Sequence, residues 1–233
     1  MISIIIPIYN QADKIGKCLA SILNQTYQEV EVIVVNDGSK DNIAAVMEGW
    51  NKKFHEASRR LETVHQENQG ANTARNRGFK EARGEYLLFC DADITMDPEM
   101  LKTMLDALYQ YPEAAYTYSS FKFGFKTFKL WEFDAEKLKQ MPYIHTTSLI
   151  RRECFPPSGF DEKLKKFQDW DLWLTMLEAG HQGVWIDKVL YSATSGGSMS
   201  SWLPGFAYKF LPFLSMVKKY KEGMRTVKEK HGI

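Results

Sequence analysis

Ile2-Ser3-Ile4-Ile5-Ile6-Pro7-Ile8-Tyr9-Asn10 opens with an apolar, β-branched run and breaks into polar residues at its end. A run this continuous has no wet face, and it fits a strand buried on both sides of a parallel sheet. The chain beyond it has the matching rhythm. Ala12–Asn24 carries Ile15, Leu19, Ile22 and Leu23 at helical spacing. Val30–Asn36 reads as a second strand, and Asp41–Ser58 as a helix capped by Asp41 or Ser39. Leu61–Gln66 is a third strand, Ala71–Ala82 a helix entered through Gly70, and Glu85–Cys90 a fourth strand. Pro98–Tyr109 is a helix with Asp97 as its cap and Pro98 in its first turn. This alternation predicts an α/β fold with a mostly parallel central sheet, helices on both faces and right-handed crossovers. Ligands bind such sheets beyond the carboxyl ends of the strands.

After Tyr111-Pro112 the pattern turns to α+β. Ala115–Phe125 and Tyr143–Ile150 read as strands joined by a long aromatic and lysine-rich connection. Trp170–Glu178 is a helix stopping at Gly180, and Gly183–Tyr191 another strand. A Ser/Gly loop, Ser195–Ser201, leads into a helical segment, Leu203–Lys230, whose early turns Pro204 and Pro212 break. The expected organisation is two halves of one domain, 1–112 and 113–201, and an amphipathic helical extension, 202–233.

Composition narrows the classes. The 233 residues are 44% hydrophobic, 25% charged and 13% aromatic, which excludes a disordered, collagen-like or coiled-coil chain. Thirty basic residues against 29 acidic ones leave a net charge of +1, so no global basic field exists to hold a nucleic acid. Cys18, Cys90 and Cys154 are odd in number and far apart, giving neither a disulfide framework nor a zinc spacing. Each is expected to be a small buried hydrophobe in a reducing compartment. Met1 runs straight into the first strand without a basic leader, and no apolar run approaches the ~18 residues of a span. The expectation is a cytoplasmic chain that does not cross a bilayer.

Four polar clusters follow the four strand ends: Tyr9-Asn10, Asn36-Asp37-Gly38-Ser39, Glu67-Asn68-Gln69-Gly70 and Asp91-Ala92-Asp93. Asp91 and Asp93 can both reach one hard cation such as Mg²⁺ or Mn²⁺, or the diphosphate bound to it. Their spacing alone equally fits a solvated turn, but they close a buried strand at the ligand-binding edge. Asp37 can accept from a planar N–H such as a pyrimidine imide, with Gly38 permitting positive φ, and the same residues also suit a plain strand-to-helix turn. The loop Pro7–Asn10 has no Gly-x-Gly-x-x-Gly and no Lys-Ser/Thr pair, so phosphates must be neutralised elsewhere, and the Asp91/Asp93 cation is the available device. In Gln168-Asp169-Trp170-Asp171-Leu172-Trp173, Asp169 beside aromatic walls suits a general base; it also suits a helix N-cap with two core tryptophans. The histidines show no metal-ligand pattern.

Taken in order, these stretches, with Ser21–Tyr27, Ala74-Arg75-Asn76-Arg77-Gly78 and Gly159-Phe160-Asp161-Glu162, resemble the family-two inverting glycosyltransferases over about residues 2–200. The resemblance implies the GT-A fold, a Rossmann-like sheet. It implies that Pro7 and Tyr9 hold the nucleotide base, that Asp37 reads it, and that Arg75 lies close to the nucleotide. Asp91-Ala92-Asp93 would be the cofactor stretch, with Asp91 on the ribose and metal side and Asp93 the direct metal ligand, and Asp169 the catalytic base. The implied donor is a nucleotide-diphosphate sugar, expected to be a UDP-sugar, used with Mn²⁺ or Mg²⁺. The implied acceptor is a glycan or lipid-linked saccharide in cell-surface polysaccharide assembly. The half 1–112 would then bind the nucleotide sugar and 113–201 the acceptor. Two departures stand out. Gln168 replaces a common acidic residue, and Tyr191-Ser192-Ala193-Thr194 replaces Tyr-Arg-x-His, removing a metal-side histidine at Thr194. The second departure keeps open a catalytically weak or silent sugar-nucleotide or glycan-binding module. A nucleotidyltransferase would need a Gly-rich basic loop after the first strand, and none is present. In the extension, the apolar Trp202, Leu203, Phe206, Phe210, Leu211, Phe213, Leu214 and Val217 are interleaved with Lys209, Lys218, Lys219, Lys221, Arg225, Lys228 and Lys230. It is expected either to touch an anionic membrane at its inner face or to pack its aromatics on the domain.

Overall fold

The structure, a computed structural model, describes residues 1–194 and 215–233. Its elements in order are β1 (Ile2–Ile8), α1 (Ile15–Leu23), β2 (Val30–Asp37), α2 (Ile43–Glu56), β3 (Arg60–Gln66), α3 (Ala71–Glu81), β4 (Tyr86–Phe89) and β5 (Ile94–Met96). Then come α4 (Met100–Gln110), β6 (Tyr116–Phe123), β7 (Lys126–Phe128), α5 (Ala135–Gln140), β8 (Leu149–Arg151), a 3₁₀ turn (Arg152–Cys154), α6 (Gln168–Glu178), β9 (Gly183–Ala193) and α7 (Ser215–Lys230). One sheet runs β3-β2-β1-β4-β8-β6-β9-β5, with β7 on β6. β1, β2, β3 and β4 are parallel, as are β6 and β9. β8 is inserted antiparallel between β4 and β6. The expected largely parallel α/β sheet with a C-terminal helix is therefore present.

Every residue of β1 and of β2 is buried, which is why both read as unbroken apolar runs. Within β2, ahead of its polar end Asn36-Asp37, the exception is Glu31, whose carboxylate accepts from Ser3 Oγ and the Arg83 N–H, both at 2.6 Å. On the far side of the sheet the core is aromatic: Trp173 stacks on Tyr116 with ring centroids 4.4 Å apart.

Several local expectations are corrected. Of Tyr143–Ile150 only Leu149 and Ile150 join a strand. The Thr147 N–H is taken by His145 Nδ1 and the Ser148 N–H by the Thr146 carbonyl, so local bonds displace the ladder there. Asp41 and Ser39 do not cap α2; they accept from the N–H groups of Ala12 and Asn10 and so tie the loop after β1 to the loop after β2. Asp97 accepts from Glu99, and α4 starts only at Met100, leaving Pro98 outside. The lysine-rich connection contains α5, capped by Asp134, which accepts from the Lys137 N–H at 3.0 Å. Cys18 and Cys90 are buried as expected, whereas Cys154 is only half-buried. The Ser195–Ser201 loop and the aromatic part of the extension, 202–214, lie outside the described residues.

Candidate active site

The strand order reverses between β1 and β4, since β1 connects outward to β2 and the chain then returns to the other side of β1. Such a switch point leaves a crevice beyond the carboxyl ends of the two strands. A cavity of about 350 Å³ lies there, lined among others by Pro7, Tyr9, Asp37, Arg75, Asp91 and Asp93. Six of the seven expected binding residues thus converge. The seventh, Ala92, is 1% exposed and belongs to the core.

Each wall has a local cause. Asn10 turns with φ +51° and accepts from the Lys40 N–H at 2.8 Å. Gly38 takes φ +73°, and a Cβ there would lie 2.8 Å from the Asn68 nitrogen, so this tight turn demands glycine. Asp37 accepts from Gln66 Nε2 and from the N–H groups of Gln69 and Gly70, each at 2.8 Å. It thereby fixes the loop at the start of α3. Arg75 on α3 is nearly buried, with its Nη2 2.7 Å from Asp91 Oδ1. Its other nitrogen donates to Asn72 Oδ1, while Asn72 donates to the carbonyls of Asp161 and Leu164. Asn76 grips the same loop through Phe160 and Glu162. The Ala74–Gly78 and Gly159–Glu162 stretches are one hydrogen-bonded unit.

The two carboxylates of the cofactor stretch diverge. Burial pushes Asp91 up, but the charge of Arg75 and its hydrogen bond outweigh it, and its carboxyl lies below the usual range. Burial and the charge of Asp91 push Asp93 up.

A second cavity of about 630 Å³ adjoins the first, and Arg75, Asp91, His145, Lys165 and Gln168 line both. Asp169 lines the second. It is the second residue of α6, and its Oδ1 accepts from the Trp170 N–H at 2.8 Å. That is not capping geometry: the N-cap position is Phe167, which makes no side-chain cap bond. Burial raises the affinity of Asp169 for its proton, partly offset by His145 and the Trp170 N–H. Trp170 and Trp173 do not wall it; both are fully buried and donate to the carbonyls of Leu138 and Ile144. The aromatic wall comes from Phe121, Trp131, Tyr143 and Phe167 instead. Sequence reasoning missed that wall and missed His145, which carries no motif or spacing and is recognisable only once β8 is folded beside β4.

Residues 3–165 match the family model described as Glycosyl transferase family 2. The chain belongs to this family. Its relatives include YibD of Escherichia coli, described as an uncharacterized glycosyltransferase, 39% identical over 45% of this chain and 29% of that one. Among solved structures, S. aureus TarS 1-349 in complex with UDP-GlcNAc superposes with a TM-score of 0.70 at 24% identity, covering 91% of this chain and 64% of TarS 1-349. The mannosyltransferase PcManGT from Pyrobaculum calidifontis, in complex with GDP-Man and Mn²⁺, gives 0.69 at 20% identity, covering 86% and 58%. These likenesses show the GT-A fold. The chain spans less than two thirds of the length of the relatives it matches first.

In this family-two chain the residues fit a divalent cation that arrives with its phosphates. No group of three or more acidic, His or Cys side chains forms an all-protein cation site among the described residues. Asp93, half-buried and within the field of the Asp91 carboxylate, offers the hard oxygen that Mg²⁺ or Mn²⁺ takes alongside phosphates and water. The Thr194 N–H donates to the Asp93 backbone carbonyl at 3.3 Å, so the position without a histidine pairs with the main chain of Asp93.

The described end of the family-two extension packs on the domain. Val217 and Val227 are fully buried. Lys230 reaches Asp161 and Asp171 at 2.8 and 2.7 Å, and His231 bridges Asp171 and Glu178 at 2.9 and 2.7 Å.

Proposed function

We propose that the chain is an inverting glycosyltransferase moving a sugar from a nucleotide-diphosphate donor, a UDP-sugar, to an acceptor hydroxyl in glycan assembly. The observation that carries this reading is the meeting of the two cavities at Arg75, Asp91 and His145, with Asp93 in the first and Asp169 in the second. Residues 1–112 supply most of the first cavity and 113–201 most of the second, which supports a donor half and an acceptor half. Pro7 and Tyr9 take the base, Asp37 positions the loop that reads it, and Arg75 holds Asp91 ionised toward the ribose. Asp93, with Asp91 alongside, would hold a divalent cation, which would supply charge neutralisation for the leaving diphosphate. Asp169, its proton affinity raised by burial, accepts the proton of the acceptor hydroxyl as that oxygen attacks from the face opposite the nucleotide, and the anomeric configuration inverts. No protein nucleophile is needed.

A silent binding module is the second reading, favoured by Thr194 beside Asp93. Release of UDP from UDP-sugars with Mn²⁺ decides between them: turnover supports the transferase, and tight binding without turnover supports the module.

No helix among the described residues is long and apolar enough to cross a membrane. Lys218, Lys219 and Lys221 are exposed on α7, which supports peripheral contact with an anionic inner membrane face where a lipid-linked acceptor would lie. Co-sedimentation with anionic liposomes should weaken in a triple Lys→Glu variant at these positions; equal binding by both proteins contradicts the contact.

A further inference from the structure

His145 stands in the loop before β8 and lines both cavities where they meet. Three features fix its ring. The Thr147 N–H donates to Nδ1 at 3.1 Å. The Ser148 hydroxyl donates to the His145 carbonyl at 2.8 Å. The ring packs near Phe121 and Tyr191, with centroids 5.4 and 5.6 Å away. Because Nδ1 accepts, the neutral ring carries its proton on Nε2. Nε2 has no hydrogen-bond partner among the described residues. An aligned ring with an idle N–H is therefore held at the junction.

The surroundings say what that N–H can bind. Asp91, Asp93 and Asp169 all lie within electrostatic reach of His145. Asp91 is already engaged by Arg75, and Asp169 accepts from Trp170. A donor with no hydrogen-bond acceptor among the described residues, in the cavity that Asp93 lines, suits an anionic group brought by a ligand. At Thr194, whose N–H donates to the Asp93 carbonyl, the chain carries a neutral side chain in place of an imidazole, and the described cation acting on Asp93 besides His145 is Lys14. Resting on the reading that a nucleotide-diphosphate sugar fills the first cavity, we propose that His145 binds the diphosphate through its Nε2–H. The ligand class is a nucleoside diphosphate, with the contact confined to the phosphates, and the loop before β8 supplies the imidazole N–H that the Thr194 position lacks.

The test compares uridine and UDP by isothermal titration, with EDTA and with Mn²⁺, in the unaltered chain, His145→Ala and His145→Gln, each checked for an unchanged melting temperature. Loss of one hydrogen bond to a charged group corresponds to a drop of about tenfold or more in UDP affinity. That drop is expected for His145→Ala with and without Mn²⁺, while uridine affinity stays level. His145→Gln, which keeps an N–H donor, should recover part of it. A UDP affinity of His145→Ala within about twofold of the unaltered chain overturns the proposal, and so does an equal fall for uridine, which would mark a wall residue. Unchanged UDP binding with lost sugar transfer also overturns it, placing His145 on the acceptor side. If the unaltered chain prefers UDP to uridine but the variants match it, only this inference fails. If the unaltered chain binds neither ligand, the functional reading fails with it.

Discussion

Asp169 and Asp93 are both carboxylates whose proton affinity burial raises, yet the proposed mechanism gives them different tasks. Asp169 has one oxygen satisfied by its neighbour's N–H and lines the larger of the two cavities. Asp169→Asn keeps its size and removes the base. UDP affinity should stay level while sugar transfer falls by about 10²–10⁴. Since its pKa is raised above the ordinary 3.8, the rate should also fall, on acidification, at a pH above that value. Transfer near the unaltered rate in Asp169→Asn would reduce the residue to scaffolding. Asp93→Asn exchanges a hard anionic ligand for a neutral amide. The increment in UDP affinity that Mn²⁺ adds over EDTA should vanish, leaving the cation-independent part; an intact increment would contradict the assignment.

At the scale of elements, α7 bears on the start of α6. Phe167, just before α6, sits in the left-handed region at φ +59°, unusual for a bulky side chain. It packs edge-on against Tyr220, and a Cβ at Gly223 would lie 3.1 Å from its ring, so α7 buttresses the turn that delivers Asp169. The far end of α7 is latched by His231, which bridges Asp171 and Glu178, while Lys230 beside it pairs with Asp161 and Asp171. Burial disfavours the charged ring, but the hydrogen bonds to Asp171 and Glu178 prevail and its pKa is raised above 6.5. A raised value means the latch contributes fully below 6.5 and is lost as pH climbs through the folded-state value. Hydrogen exchange, corrected for intrinsic rate, should show protection of α7 falling across that window, with no such step in His231→Asn. A pH-independent protection in the unaltered chain would contradict the latch. The same scale shows what the sequence could reveal. β1, β2 and β4 are legible because burial on both faces leaves a continuous apolar run. β5 and β8 are three residues each, too short for a period, and exist through pairing with β9, β4 and β6. Asp41 and Ser39 look like helix caps in one dimension and serve as loop ties in three.

For the whole molecule, the sheet makes one site out of distant segments. Strand ends at residues 8, 37 and 89 set the first cavity, and β6, the loop before β8 and the start of α6 set the second. The strand-end residues were legible because each follows an apolar run. His145 and the wall of Trp131 and Tyr143 were not, since their place depends on how the second half folds onto the first. The central claim is that a nucleotide diphosphate occupies the cavity at the β1/β4 switch point. The most direct measurement is a crystal structure of the chain grown with UDP and Mn²⁺. The account predicts the uracil between Tyr9 and Asp37, the diphosphate at Asp93, and Asp169 facing it from the neighbouring cavity. Nucleotide seated in the larger aromatic cavity, or anywhere away from the ends of β1 and β4, would contradict it.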